Sequence, residues 1–112
     1  MKGIGGNINA VLQRRDVQIN EYGEHLLNWQ YMQTLRGWLD LSGGGAQYGT
    51  YNAKIQESTH VFVADYSPLA DGLKAENCHM VIGNKEYDVL LIDDPMEMHK
   101  QLEFYLRLTG GQ

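Results

Sequence analysis

The chain has 112 residues, 43% of them apolar and 21% charged. That is globular composition for one domain, long enough to bury a core and too short for a second domain. Fourteen acidic against nine basic residues leave a net charge of −5, which repels phosphate at long range and disfavours direct nucleic-acid binding, though not a wall past which DNA slides.

One cysteine, Cys78, excludes an intrachain disulfide and fits a reducing compartment. Near the N-terminus Lys2 is the one basic residue before Arg14, and Gly6, Asn7 and Asn9 break the apolar stretch, so no signal peptide is read there. The longest aliphatic run, 89–92, is far short of a membrane span.

In chain order, residues 1–13 read as an N-terminal arm. Asn7 is placed to cap a short helical turn, because Ile8, Val11 and Leu12 stand at i, i+3 and i+4. From Asp16 the period becomes two, with Val17 and Ile19 alternating with Gln18 and Asn20: a first strand. Residues 21–28 are polar and contain Gly23, which predicts a loop or hairpin end, and residues 29–32 predict the returning strand. Leu35, Leu39 and Leu41 then share one strand face, with Arg36, Trp38 and Asp40 on the other. Gly37 between them predicts a bulge or bend.

The stretch Ser42, Gly43, Gly44, Gly45, Ala46, Gln47, Tyr48, Gly49 holds four glycines in eight residues and is expected to be a loop, within a Gly-rich region spanning 42–58. THVFVADY at 59–66 is a β-branched and aromatic strand ended by Ser67-Pro68. HMVI at 79–82, the Gly83-Asn84 turn and the strand 86–92 form a hairpin. Asp93-Asp94-Pro95 turns the chain. Leu102, Phe104, Leu106 and Leu108 then face inward from a last strand, before a tail, 109–112, that is expected to fray. The sum is a mainly β, single-domain β-barrel or sandwich of about six short strands with long loops.

Convergent chemistry is not legible. His25, His60, His79 and His99 are scattered without ligand spacing, and neighbours Cys78 and His79 on a strand point to opposite faces, so no metal site is assigned. Ser58, His60 and Asp65 form a nominal triad without a nucleophile-elbow motif, so no catalytic residue is assigned. The GIGG run at 3–6 lacks the lysine of a phosphate loop, and no cofactor is expected. Trp29, Trp38, Tyr51, Met96 and Met98 are the candidate interface residues, being types that anchor contacts when exposed.

Several segments resemble the head–tail joining, or head-closure (stopper), proteins of long-tailed bacteriophages. They are TLRGWLDL at 34–41, the Gly-containing loop after it, the Thr-His strand ESTHVFV at 57–63, and the hairpin MVIGNKEYDV at 80–89 with its Ile-Asp-Asp-Pro turn. The similarity spans roughly residues 14–108 and leaves 1–13 unplaced. It implies a β-barrel-like subunit of a homo-oligomeric ring, twelve-fold in the family pattern, assembled in a bacterial cytoplasm into the virion at the head–tail junction. The implied neighbours are the portal-side adaptor, a tail completion or terminator protein, and genomic DNA passing without sequence-specific contact; no membrane is involved and no reaction is catalysed. In such a ring, the loop from Ser42 to Gly49 is expected to project toward the axis and gate the channel. The alternative reading is a small β-barrel module that binds a peptide or ligand in its mouth.

Overall fold

A computed structural model describes residues 6–41 and 58–111. Six antiparallel strands form the fold: β1 (Ile8–Ile19), β2 (His25–Leu41), β3 (His60–Asp65), β4 (Cys78–Ile82), β5 (Lys85–Asp93) and β6 (Gln101–Gly111). Two single 3₁₀ turns, Ala75–Asn77 and Pro95–Glu97, punctuate the connections. The strand order is β1-β2-β3-β6-β5-β4, and β4 pairs back onto β1, so the sheet closes into a barrel with no open edge in its wall.

The inward residues follow the period-two rule. Ala10, Leu12, Leu35, Phe62, Ala64, Met80, Tyr87, Val89, Leu102, Phe104 and Leu106 are buried and form one cluster. Phe62, Phe104, Leu12, Met80 and Leu106 are the largest side chains wholly removed from solvent, each contributing about 1.5–3 kcal/mol by burial. Phe62 and Phe104 pair at a ring-centroid distance of 6.3 Å, within the favourable range for aromatic contacts.

The expected N-terminal helical turn is absent. Residues 8–13, read as part of an arm, are wall: β1 pairs with β2 on one side and β4 on the other. Ala10 and Leu12 point in while Val11 points out, and pairing on both edges overrides the weak helical spacing. The tail also differs from expectation, since β6 runs on to Gly111 with Thr109 bonded to the Glu86 carbonyl.

The segments at 29–32 and 35–41 are not separate strands. They belong to β2, 17 residues long. Its irregularity lies at Met32, not at Gly37. Leu12 faces Gln33 and Gln13 faces Tyr31, so Met32 is an extra residue, a bulge in β2.

Gly37 has a different job. It is opposite Ile8 of β1 and Ala64 of β3, the point where β2 passes from one partner to the other. A Cβ there would sit 2.1 Å from the Val63 carbonyl oxygen. Gly6, at φ 107°, lies against the same spot, and its Cβ would be 2.3 Å from the Gly37 oxygen. Three backbone segments meet where neither glycine admits a side chain.

Candidate functional site

The antiparallel order sends the connections to two ends. At one end lie the Gly83-Asn84 turn, the last residues of β6, and the ends of β2 and β3 that flank residues 42–57. The loop Ser42, Gly43, Gly44, Gly45, Ala46, Gln47, Tyr48 and Gly49, with Tyr51, lies outside the described residues. At the other end lie the β1–β2 hairpin, the connection 66–77 and the turn 94–100.

The hairpin leaves the barrel. β1 pairs with β4 as far as Arg14, opposite Cys78, and with β2 as far as Ile19, opposite His25. Residues 15–29 therefore form a two-stranded arm, with about 17 Å of paired strand beyond the wall. The described residues extend 52 Å along one axis and 30 Å along the other two.

Asn20 locks the tip. Its side-chain oxygen accepts from the backbone N–H of Tyr22 and of Glu24, both at 2.9 Å, while its amide donates to the Glu24 carboxylate. Gly23, at φ 80°, closes the turn.

The two faces of the arm differ chemically. Opposed residues share a face, so Ile19 with His25, Val17 with Leu27, Arg15 with Trp29 and Gln13 with Tyr31 lie together on the side continuous with the barrel exterior. The other face carries Gln18 with Leu26, Asp16 with Asn28, and Arg14 with Gln30. Hydrogen bonds from Asn28 to Gln18 and from Arg14 to Gln30 run along this polar face. On the apolar face Val17, Ile19, Leu27 and Tyr31 are all more than half exposed, a concentration that soluble chains rarely leave uncovered.

The base of the apolar face is braced. Trp29 stacks on His79, centroids 3.6 Å apart and planes 17° from parallel. His79 Nε2–H donates to Gln13 Oε1 at 2.5 Å. Burial lowers the His79 pKa from its ordinary value, against the opposing pull of Glu86 and Asp88. A neutral imidazole thus holds the indole in place.

Beside it an open cleft of about 230 Å³ is lined by Arg15, Trp29, Ala75, Glu76, Cys78, Asp88, Val89 and Leu90. Ligand pockets usually enclose roughly 300–1,000 Å³, more than this cleft offers. Cys78 is buried and its thiol is pushed up to about 12, chiefly by burial, which keeps it protonated and weakly nucleophilic near neutral pH.

The turn after β5 is the second unusual feature at this end. Met96, Glu97 and His99 are all left-handed, at φ 55°, 53° and 56°. Asp94 holds them: its carboxylate accepts from the His99 backbone at 3.0 Å and pairs with the His99 ring. Met96 stands 88% exposed. Left-handed non-glycine residues are costly and cluster at functional surfaces.

Of the sequence-read interface residues, Trp29 sits at the arm base, Trp38 is half-exposed on the β2 exterior, and Met96 and Met98 are exposed on the turn. The apolar stripe of Val17, Ile19, Leu27 and Tyr31 was not singled out by the sequence, nor was the His79 brace.

His60 and Asp65 stand at opposite ends of β3, five residues or about 16 Å apart and on opposite faces; His60 bonds Thr59 and packs edge-on against Tyr87. Among the described residues no group of three metal-ligating side chains occurs. No described helix is long and apolar enough to cross a membrane.

No protein-family model matches the sequence, and no curated protein sequence matches it. The fold does have a neighbour among solved structures: a chain in the virion of a native gene transfer agent particle. The two superpose with a TM-score of 0.59 over 92% of this chain and 94% of that one, at 16% sequence identity.

Proposed function

We propose that this chain is a structural protein of a phage-like virion, a subunit of a ring at the head–tail junction that closes the filled head and receives the tail. The near end-to-end fold likeness to a chain of a gene transfer agent virion carries the reading. The family resemblance of the segments at 34–41, 57–63 and 80–89 points the same way and supplies the specific position. The chemistry is compatible. Large apolar side chains stand exposed on the arm and on the turn after β5, and among the described residues the ionisable side chains of the cleft at the arm base line a volume smaller than an ordinary ligand pocket.

On this reading the chain is not an enzyme and carries no cofactor. Its partners are copies of itself, the portal-side adaptor and the tail completion protein, with DNA passing through the ring. The segment from Ser42 to Gly49 is the proposed gate of the channel.

The test is a deletion of the gene from a producing strain, followed by electron microscopy of the particles. Heads that package DNA and then lose it, without tails, support the assignment. Normal tailed particles that lack the protein by mass spectrometry refute it. Deleting Gly43, Gly44 and Gly45 alone tests the gate: DNA retention is expected to fall, and unchanged retention removes that part of the proposal.

A further inference from the structure

The arm carries an apolar face with Arg15 at its base and His25 near its tip, and the same molecule offers a surface that matches it. On the exterior of the wall, strand pairing sets two rows across four strands. One row runs Trp38, Val63, Glu103, Asp93 and the other Asp40, Val61, Tyr105, Leu91. This is an apolar field with carboxylates at two corners.

Asp93 and Glu103 face each other directly across β5 and β6, an arrangement that is unfavourable without a cation. Glu103 is fixed from its own strand by Gln101 at 2.7 Å and the Tyr105 hydroxyl at 2.9 Å. Burial raises the Asp93 pKa, and the charges of Glu103 and Asp94 add to the rise. Among the described residues neither carboxylate has a basic partner within 4 Å. Arg15 likewise forms no ion pair, although it shares the cleft with Glu76 and Asp88.

We propose that the arm of one copy lies across the β2-β3-β6-β5 exterior of the next copy, with Arg15 over Asp93 and Glu103 and His25 over Asp40. The three arm rows from Arg15/Trp29 to Ile19/His25 span about 14 Å, and so do four strands side by side. In this register Trp29 meets Leu91 and Tyr105, Leu27 meets Val61, and Ile19 meets Trp38.

The contact is between copies by necessity. β2 supplies both the arm and one column of the patch, and a strand cannot lie across itself. Two different surfaces joined head to tail propagate, and they close into a ring when the rotation permits. The inference deepens the ring reading above and rests on it for closure. Six arm side chains are few beside the roughly 20–30 residues per side of a standard interface, so each contact is weak alone and is held by its neighbours around the ring.

The test introduces Leu27→Cys and Val61→Cys together, Cys78 being buried. Particles carrying the variant are oxidised and run on a non-reducing gel. A ladder of covalent multimers, absent from both single-cysteine variants, is expected. Arg15→Glu is expected to reduce the ladder about tenfold or more, the change that loss of about 1.4 kcal/mol produces, and Glu103→Lys to restore it.

Particles that contain the protein yet give no ladder overturn the arm contact and leave the virion assignment standing. A dimer from Leu27→Cys alone also overturns it, since that places arm against arm. If the protein is absent from particles, the virion assignment fails. The same oxidation of the purified chain at high concentration then decides: a ladder supports the contact and monomer refutes it. Asp93→Asn supplies a separate reading, because it relieves repulsion in the free chain while removing an anchor for Arg15. A more stable monomer with a weaker ladder is expected, and an undiminished ladder counts against the proposal.

Discussion

Gly37→Ala tests the packing of the wall at its tightest point. The added methyl would lie 2.1 Å from the Val63 oxygen, 2.9 Å from its carbonyl carbon and 3.0 Å from the Ala64 Cα. All three atoms are backbone, so no rotamer change relieves the contact. Separating β2 from β3 by the missing ångström or so disturbs the pairing of Gly37 with Ala64 and the approach of Gly6. Overpacking typically costs about 1–3 kcal/mol, and more where the backbone itself must move.

We expect about 3 kcal/mol or more, out of a total stability on the order of 5–15 kcal/mol. That corresponds to a fall in Tm of roughly 10 °C or more at about 4 °C per kcal/mol. Urea titration followed by circular dichroism measures it. Gly83→Ala is the control: it has a φ of 62° but nothing within 4 Å of the new methyl, so only left-handed strain of about 1–2 kcal/mol is expected. If Gly37→Ala costs no more than Gly83→Ala, the close approach of strands is not there.

The N-terminal strand assignment is checked by a pair of truncations. Leu12→Ala is expected to cost about 2–5 kcal/mol and Val11→Ala much less, whereas equal costs in denaturant melts point to a helix with both residues inward. His79 sets a pH dependence. Its lowered pKa favours the neutral ring in the fold, so its contribution is complete above about 6.5 and declines as pH falls below that value toward the folded pKa. His79→Phe keeps an aromatic ring against Trp29 and loses the titration. The stability gap between wild type and this variant is expected to shrink on acidification, and a constant gap contradicts the burial argument. Cys78, buried and raised to about 12, is expected to resist iodoacetamide in the native protein near pH 8 and to react fully in urea; rapid native labelling contradicts its placement.

Much of the wall was legible because its strands obey period two over short distances. The inward placement of Leu102, Phe104 and Leu106 in β6, the Gly83-Asn84 turn and the opposite placement of Cys78 and His79 all follow from alternation and turn chemistry, whereas Leu108, also expected inward, is exposed near the strand end. The helical spacing of Ile8, Val11 and Leu12 misled because three positions are too few to fix a period, and the pairing on both sides of β1 decides it.

The arm was hidden by parity. His25, Leu27, Trp29, Tyr31, Leu35, Leu39 and Leu41 are all odd-numbered, and simple alternation puts them on one face. The extra residue at Met32 turns the first four outward and leaves Leu35 and Leu39 on the core side, while Leu41 at the strand end is exposed. No local sequence cue marks that bulge. The exposed stripe and the carboxylate row of Asp93 and Glu103 become visible once non-local pairing is known.

The bulge separates two properties that a straight strand would bind together. What the arm displays is written in the side chains on either side of Asn20, whereas where it points is fixed by a kink of one residue at its root. Losing Met32 leaves Leu12 opposite Gln33 and Gln13 opposite Tyr31, so the display survives while the bearing swings. A one-codon indel at this position can thus redirect the lever and leave its chemistry untouched.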